Sequence, residues 1–227
     1  MLAALFRAFA VLSVPSMRRV VAMSLGLAIV TFAVLWLGLA LVIGHHSWFG
    51  WRPLDWLADA FGVVAVAVLS WVLFPAVLTL MMGFFLERVA ATVEALEYPG
   101  RGPARVQPIG DTIRATLRLM GLTILLNILA LPVYLLVPGI NLFVFLGLNG
   151  YLFGREYFEV VALRRLDTAA TRAVRQRFTA RIFIGGVMIA GLFMVPLVNL
   201  VAPVIATAFM LHLFERLRSF EAPALAS

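Results

Sequence analysis

The chain has 227 residues, of which 63% are hydrophobic and 13% are charged, and its mean hydropathy is +1.05. These values exclude an ordinary soluble domain and leave no room for a separate soluble enzyme domain. The chain has no cysteine, which excludes disulfides, thiolate metal sites and a cysteine nucleophile. The net charge is +7, and every basic residue apart from histidine is an arginine. The tendency of basic residues to remain on the cytoplasmic side of a membrane explains this charge, so nucleic acid is not predicted as a partner.

Two uncharged runs, 20–43 and 60–86, are each long enough to span a bilayer as one helix. The stretch between them, Gly44–Asp59, holds only one of the 18 arginines, Arg52. Because basic residues collect on the cytoplasmic side, this stretch is predicted to lie outside, with both termini in the cytoplasm. Its aromatic and imidazole side chains are predicted to form a belt at the outer interface: His45, His46, Trp48, Trp51 and Trp56.

Amphipathic segments follow the second span. Residues 87–96 alternate apolar and charged side chains at helical spacing, and Tyr98-Pro99-Gly100 is predicted to end that helix. Asp111 is predicted to cap a basic amphipathic helix lying at an anionic membrane surface. Residues 164–181 repeat this basic character.

Two further uncharged stretches, 119–154 and 182–214, are too long for one span. They are also short for two spans, because two spans with a turn need over ~40 residues. Each is broken near its middle by the same pattern, V-P-x-[IV]-N-L, beginning at Val137 and at Val195. Proline ends helices, so both stretches are predicted to be helical hairpins that re-enter the membrane from the cytoplasmic side. An alternative with six short spans obeys the same charge rule, and arm length favours re-entry.

The predicted fold is therefore a single all-α membrane domain over residues 1–227. It has two long transmembrane helices, two re-entrant helical hairpins and amphipathic surface helices. Backbone exposed at the tip of such a hairpin is tolerated only inside protein or along a wet cavity, so two hairpins predict a path for something polar.

The first span is preceded by the best candidate anion site in the chain. Proline favours the first helical turn, where free amides and the positive end of the helix dipole attract anions, and two guanidiniums there suit a tetrahedral oxyanion. The alternative is that the arginines only flank a span. The predicted anion-binding residues are Pro15, Ser16, Met17, Arg18 and Arg19.

Charged residues at helix ends and polar residues at the hairpin tips are candidates for the pore or its gate. The alternatives are solvated interfacial charges and, for the two asparagines, caps of the following helices, which is the favoured interpretation. The charged candidates are Glu87, Glu94, Arg155 and Glu156. The tip candidates are Pro138, Gly139, Asn141, Pro196 and Asn199.

Neither metal nor cofactor is predicted. His45 and His46 are adjacent and cannot converge from one helical face, and His212 is predicted on the opposite side of the membrane. No Ser-His-Asp order, phosphate loop or HExxH motif occurs, so the chain is not expected to be an enzyme.

Four segments in this order resemble the CysZ-type sulfate permeases of the bacterial inner membrane, whose eukaryotic relatives are the etoposide-induced endoplasmic-reticulum proteins. They are Pro15-Ser16-Met17-Arg18-Arg19-Val20, Phe85…Ala90…Val93-Glu94-Ala95, Val137-Pro138-Gly139-Ile140, and Val195-Pro196-Leu197-Val198-Asn199-Leu200…Pro203. The chain departs from the family at Ala91, where an acid is expected, so a carboxylate–arginine network along the pore is expected to be thinner.

The resemblance implies uptake of sulfate or a related sulfur oxyanion, channel- or permease-like, which feeds cysteine synthesis. It also implies that the Pro15–Arg19 segment holds sulfate and that the protein is a homo-oligomer in the inner membrane. The rival interpretation is a non-transporting membrane scaffold or stress-related protein of the same fold. The sequence does not distinguish sulfate from sulfite, thiosulfate or selenate.

Overall fold

The structure, a computed structural model, describes residues 1–43, 50, 52–83, 85–100, 102–105 and 109–219. Within these ranges every regular element is a helix and no strand is formed. The α-helices are α1 (Leu2–Ala10), α2 (Pro15–Ile43), α3 (Arg52–Gly83), α4 (Leu86–Glu97), α5 (Ile109–Leu136), α6 (Asn141–Ala162), α7 (Thr168–Arg177), α8 (Thr179–Met194), α9 (Pro196–Asn199) and α10 (Ala202–Ser219). Backbone contacts divide the chain into two compact units, Arg18–Phe85 and the remainder.

Two helical segments in the described ranges are long and apolar enough to cross a bilayer, Pro15–Gly38 of α2 and Leu117–Leu136 of α5. The helices α7 and α8 together form a third candidate, but they are bent by 89°. With an entirely helical fold, these segments confirm the predicted class: the chain is an all-α membrane protein.

The unit Arg18–Phe85 consists of most of α2 together with α3. The indole nitrogen of Trp36 donates to the Ser70 hydroxyl at 3.1 Å, and the rings of Phe32 and Phe74 lie 5.6 Å apart. Many apolar side chains of both helices remain exposed, Phe61 by 75% for example, as a lipid-facing surface requires. The helix α3 begins at Arg52, before the predicted start at residue 60, so Trp56 lies on a helix. The rest of the predicted belt (His45, His46, Trp48 and Trp51) lies outside the described residues.

The other unit is built around α10. Every residue from Ala202 to Glu215 is buried, and α1, α4, α6 and α8 pack around this helix. Its core face includes large apolar side chains such as Phe209, Phe214 and Leu217. A helix buried on all sides is the centre of a helical assembly.

Glycines bring α6 and α8 into backbone contact. A Cβ added at Gly186 would overlap the Gly150 carbonyl oxygen and lie 2.5 Å from the Gly154 amide nitrogen. A Cβ at Gly154 would lie 2.7 Å from the Ile182 carbonyl oxygen. Because Gly150 faces Val187 while Gly154 faces Ile182, the two helices run antiparallel. Both hairpin tips therefore lie at the same end of this helix pair.

Both predicted hairpin breaks occur at the prolines. The helix α5 ends at Leu136, a 3₁₀ turn follows at Pro138–Ile140, and α8 ends at Met194, just before Pro196. At about 1.5 Å per residue, the 16 residues of α8 reach only about 24 Å, less than the hydrocarbon thickness. Re-entry of the hairpins remains a prediction, because the apolar part of α5 is long enough to cross.

One boundary differs from the prediction. The basic helix expected after Asp111 and the first arm of the first hairpin are a single helix, α5, which starts at Ile109. Asp111 therefore lies inside the helix and is not its N-cap. Helical propensity is continuous through residues 111–119, and no proline or glycine pair interrupts it.

Candidate functional site

The predicted anion site lies at the start of α2. Val14 is extended, with ψ of 128°, and Pro15 is the first helical residue, as predicted. The side chains of Arg18 and Arg19 are exposed, and neither forms a salt bridge within the described part of the chain. The Met17 amide is not free, because it donates to the Val14 carbonyl at 3.0 Å, and the Met17 side chain is fully buried.

A cluster of carboxylates and guanidiniums joins α4 to the turn after α6. Glu94 accepts hydrogen bonds from Arg164 Nη2 at 2.7 Å and from Arg165 Nε and Nη2 at 3.1 and 2.9 Å. Arg164 also pairs with Glu87, four residues before Ala91 on the same helix. The sequence singled out both acids, but it did not identify Arg164 and Arg165 as their partners.

The same turn holds the loop that follows α4. Arg165 Nη1 donates to the Gly102 carbonyl at 2.5 Å, and the Arg105 amide donates to the Arg164 carbonyl at 2.9 Å. These bonds connect α4, the loop 102–105 and the end of α6 through a few polar groups. The adjacent arginines at 164–165 are the sequence feature that could have indicated this link, although they lie seventy residues from Glu94.

Burial makes the charges of this cluster costly in free energy unless each is paired. The side chains of Glu94 and Arg164 are only 7% and 4% exposed, whereas Glu87 is 70% exposed. Burial, and then the neighbouring Arg165 guanidinium, lower the pKa of Arg164. Two guanidiniums on one buried carboxylate are held in place as long as that carboxylate is ionised.

Arg155 and Glu156 form part of a second group, which lies earlier in α6 than the turn that holds Arg164. Arg155 Nε bonds to Glu159 at 3.0 Å, and Arg175 of α7 lies 3.6 Å from the same carboxylate. Glu156 is half-buried; burial first, and then the Glu159 charge, raise its pKa. The four predicted charged residues thus divide between two groups, with Glu87 and Glu94 in the first.

The two hairpin tips share a sequence but differ in geometry. Asn141 is the first residue of α6, and its side-chain amide donates back to the Tyr134 carbonyl at 3.3 Å. Asn199 ends α9, and its backbone amide donates to the Val195 carbonyl at 2.7 Å. Asn141 therefore does not cap α6, and the favoured interpretation is wrong for this residue, whereas capping by Asn199 stays a prediction. Gly139 is exposed at its tip.

His212 lies in the core at the contact between α10 and α4. Its Nδ1 is 2.8 Å from the Tyr98 hydroxyl, and the residue is 4% exposed. A hydrogen-bonded, buried histidine of this kind has a packing role. Within the described residues, no three side chains of the metal-ligating types converge.

A model of the family described as "Sulfate transporter CysZ/Etoposide-induced protein 2.4" matches residues 4–203. The chain belongs to this family. The match includes Pro15–Arg19, Glu87, Glu94 and both hairpin tips, and it confirms the resemblance drawn from the four sequence segments. No curated protein matches the chain well enough to count as a relative. At the level of the family, the function is that of a sulfate-transporter-like membrane protein.

Proposed function

We propose that this CysZ-family protein carries sulfate or a related sulfur oxyanion across the bacterial inner membrane, by a channel- or permease-like route that feeds cysteine synthesis. The observation that carries the proposal is the exposed Arg18–Arg19 pair in the first turns of α2, a helix apolar enough to span. Family membership supports sulfate as the substrate class.

The chemistry at this helix start suits a tetrahedral dianion. Guanidiniums present planar pairs of N–H donors that match two oxygens of an oxyanion, and the helix N-terminus adds positive potential. The hydroxyl of Ser16 is also exposed and available as a donor. Because the Met17 amide is already used, the arginines and Ser16 carry the recognition.

The buried cluster around Glu94 is proposed to act separately, as a latch between α4 and the end of α6. Every charge in it has a partner, so an ion that passed through it would have to break charge-assisted bonds. A latch of this kind suits a closed state of the protein. On opening, the Glu87–Arg164 pair would break first, because Glu87 is the more exposed acid.

Radiolabelled sulfate flux into proteoliposomes containing the full chain tests the transport function. Replacing Arg18 and Arg19 with alanine should weaken sulfate binding in detergent by roughly a hundredfold or more, since charge-assisted hydrogen bonds contribute about 1.5–3 kcal/mol each. The Arg18→Lys/Arg19→Lys variant keeps the charge but loses the planar fork, so its affinity should be intermediate. Arg216→Ala removes an exposed arginine elsewhere and is the control.

Sulfate flux by the wild-type protein together with its loss in the double alanine variant would support the proposal. Unchanged sulfate affinity in that variant would show that the site lies elsewhere. Absence of flux from correctly inserted wild-type protein would favour a non-transporting scaffold of the same fold.

A further inference from the structure

The elbow between α7 and α8 places a basic helix at a right angle to an apolar one. The bend between Thr168–Arg177 and Thr179–Met194 is 89°. From Ile182 onward α8 is apolar, so a membrane-inserted α8 leaves α7 lying along the surface. The boundary between charge and hydrocarbon then falls at the elbow itself.

Charge in this segment has one sign. The segment 168–194 contains four arginines and no acid: Arg172, Arg175, Arg177 and Arg181. The preceding acid, Asp167, is used as the helix cap and accepts from the Ala170 amide at 2.7 Å. Arg175 lies 3.6 Å from Glu159 of α6, whereas the side chains of Arg177 and Arg181 are exposed.

Two of these arginines are gathered around one aromatic ring. The guanidinium carbons of Arg177 and Arg181 lie 5.6 and 5.7 Å from the centroid of the Phe178 ring. Cation–π attraction restrains both side chains at the same ring, so less freedom is lost when an anion binds them. Planar guanidiniums also suit phosphate oxygens.

An apolar surface begins directly beyond the arginines. Ile184, three residues after Arg181 and therefore on the same face of α8, is 49% exposed. A free phosphate would use only the arginines, whereas a phospholipid would use the arginines for its headgroup and the Ile184 side chain for an acyl chain. The juxtaposition favours the lipid.

We propose that the elbow formed by Arg177, Phe178 and Arg181 binds the phosphate of an anionic phospholipid headgroup, with an acyl chain against Ile184. The site is independent of the anion site at α2. It would hold the base of the second hairpin at the membrane surface.

Native mass spectrometry of the full chain in detergent, titrated with phosphatidylglycerol, tests this site. The Arg177→Gln/Arg181→Gln variant should bind phosphatidylglycerol roughly thirtyfold more weakly, and Arg181→Gln alone roughly fivefold more weakly. The matched control, Arg216→Gln/Arg218→Gln, removes the same charge from the last turn of α10 and should change the affinity less than about twofold.

Selective loss of phosphatidylglycerol in both elbow variants, with phosphatidylcholine binding unchanged, would support the proposal. The single variant serves if the double variant does not fold. Wild-type affinity in Arg181→Gln, or an equal loss in the control, would overturn it. Displacement of the lipid by inorganic phosphate would also overturn it, since the occupant would then be a soluble anion.

Discussion

Removing the Glu94 carboxylate tests whether the buried cluster holds the fold together. In Glu94→Gln, Arg164 and Arg165 keep their charges but lose the carboxylate that accepts three of their hydrogen bonds. Breaking a buried ion pair by removing one partner costs about 3–5 kcal/mol, because a charge remains buried without compensation. Glu87→Gln is the matched control: it removes an acid from the same helix and the same Arg164, but Glu87 is 70% exposed. Its expected cost is about 0–1 kcal/mol.

Thermal unfolding in detergent, followed by the monodisperse fraction remaining after heating, measures the difference. At about 2–4 °C per kcal/mol for a chain of this size, Glu94→Gln should lower the midpoint by roughly 6–20 °C and Glu87→Gln by less than about 4 °C. A double-mutant cycle with Arg165→Gln should give a coupling energy above about 1 kcal/mol. Midpoints for the two glutamine variants within about 2 °C of each other would refute the argument from burial.

Three further predictions use the same measurement or the cysteine-free background. Gly186→Ala should destabilise by about 3 kcal/mol or more, because its methyl group would overlap the backbone of α6, whereas Gly147→Ala, with open space around it, should be neutral or slightly stabilising. Burial raises the pKa of Glu156 in the folded state. Its contribution to the free energy of unfolding is therefore complete below pH 4.5, its ordinary pKa, and is lost as the pH rises through the raised pKa. Glu156→Gln should therefore be at least as stable as wild type at neutral pH, with no such advantage near pH 4; a clear loss at neutral pH would contradict this. Single cysteines at Gly139 and Leu197, both exposed at the tips, should resist an impermeant thiol reagent applied from outside, and efficient labelling of both would establish six spans.

Local signals predicted the hairpin breaks and the start of α2. Proline acts within one or two residues of its own position, so Pro15, Pro138 and Pro196 each mark a boundary that the structure contains. The predicted break between the basic helix at Asp111 and the following hairpin arm relied on charge alone. Charge does not end a helix, and α5 runs through it.

Long-range partners could not be read from local signals. Glu94 and Arg164 are seventy residues apart, and only the folding of α6 against α10 and of α10 against α4 brings them together. The direct backbone contact of the glycines at 150, 154 and 186 likewise depends on the antiparallel register of α6 and α8, which no local signal gives. Similarly, α10 reads as an uncharged hairpin arm, although its position at the centre of the unit explains its apolar character equally well.

The different geometry of the two tips bears on how an anion would be recognised. Asn141 uses one of its two side-chain N–H donors on the Tyr134 carbonyl, and its side-chain oxygen is buried without a hydrogen bond among the described residues. An acceptor oxygen repels an anion, so Asn141 is poorly suited to bind sulfate even if the path runs past the tip. The remaining neutral N–H of Asn141 is a weaker donor to a dianion than a guanidinium, so the proposed recognition depends on the arginines at the start of α2. The tips, which present apolar side chains such as Leu197 at 81% exposure, are then suited to shape or close the path instead of selecting the ion.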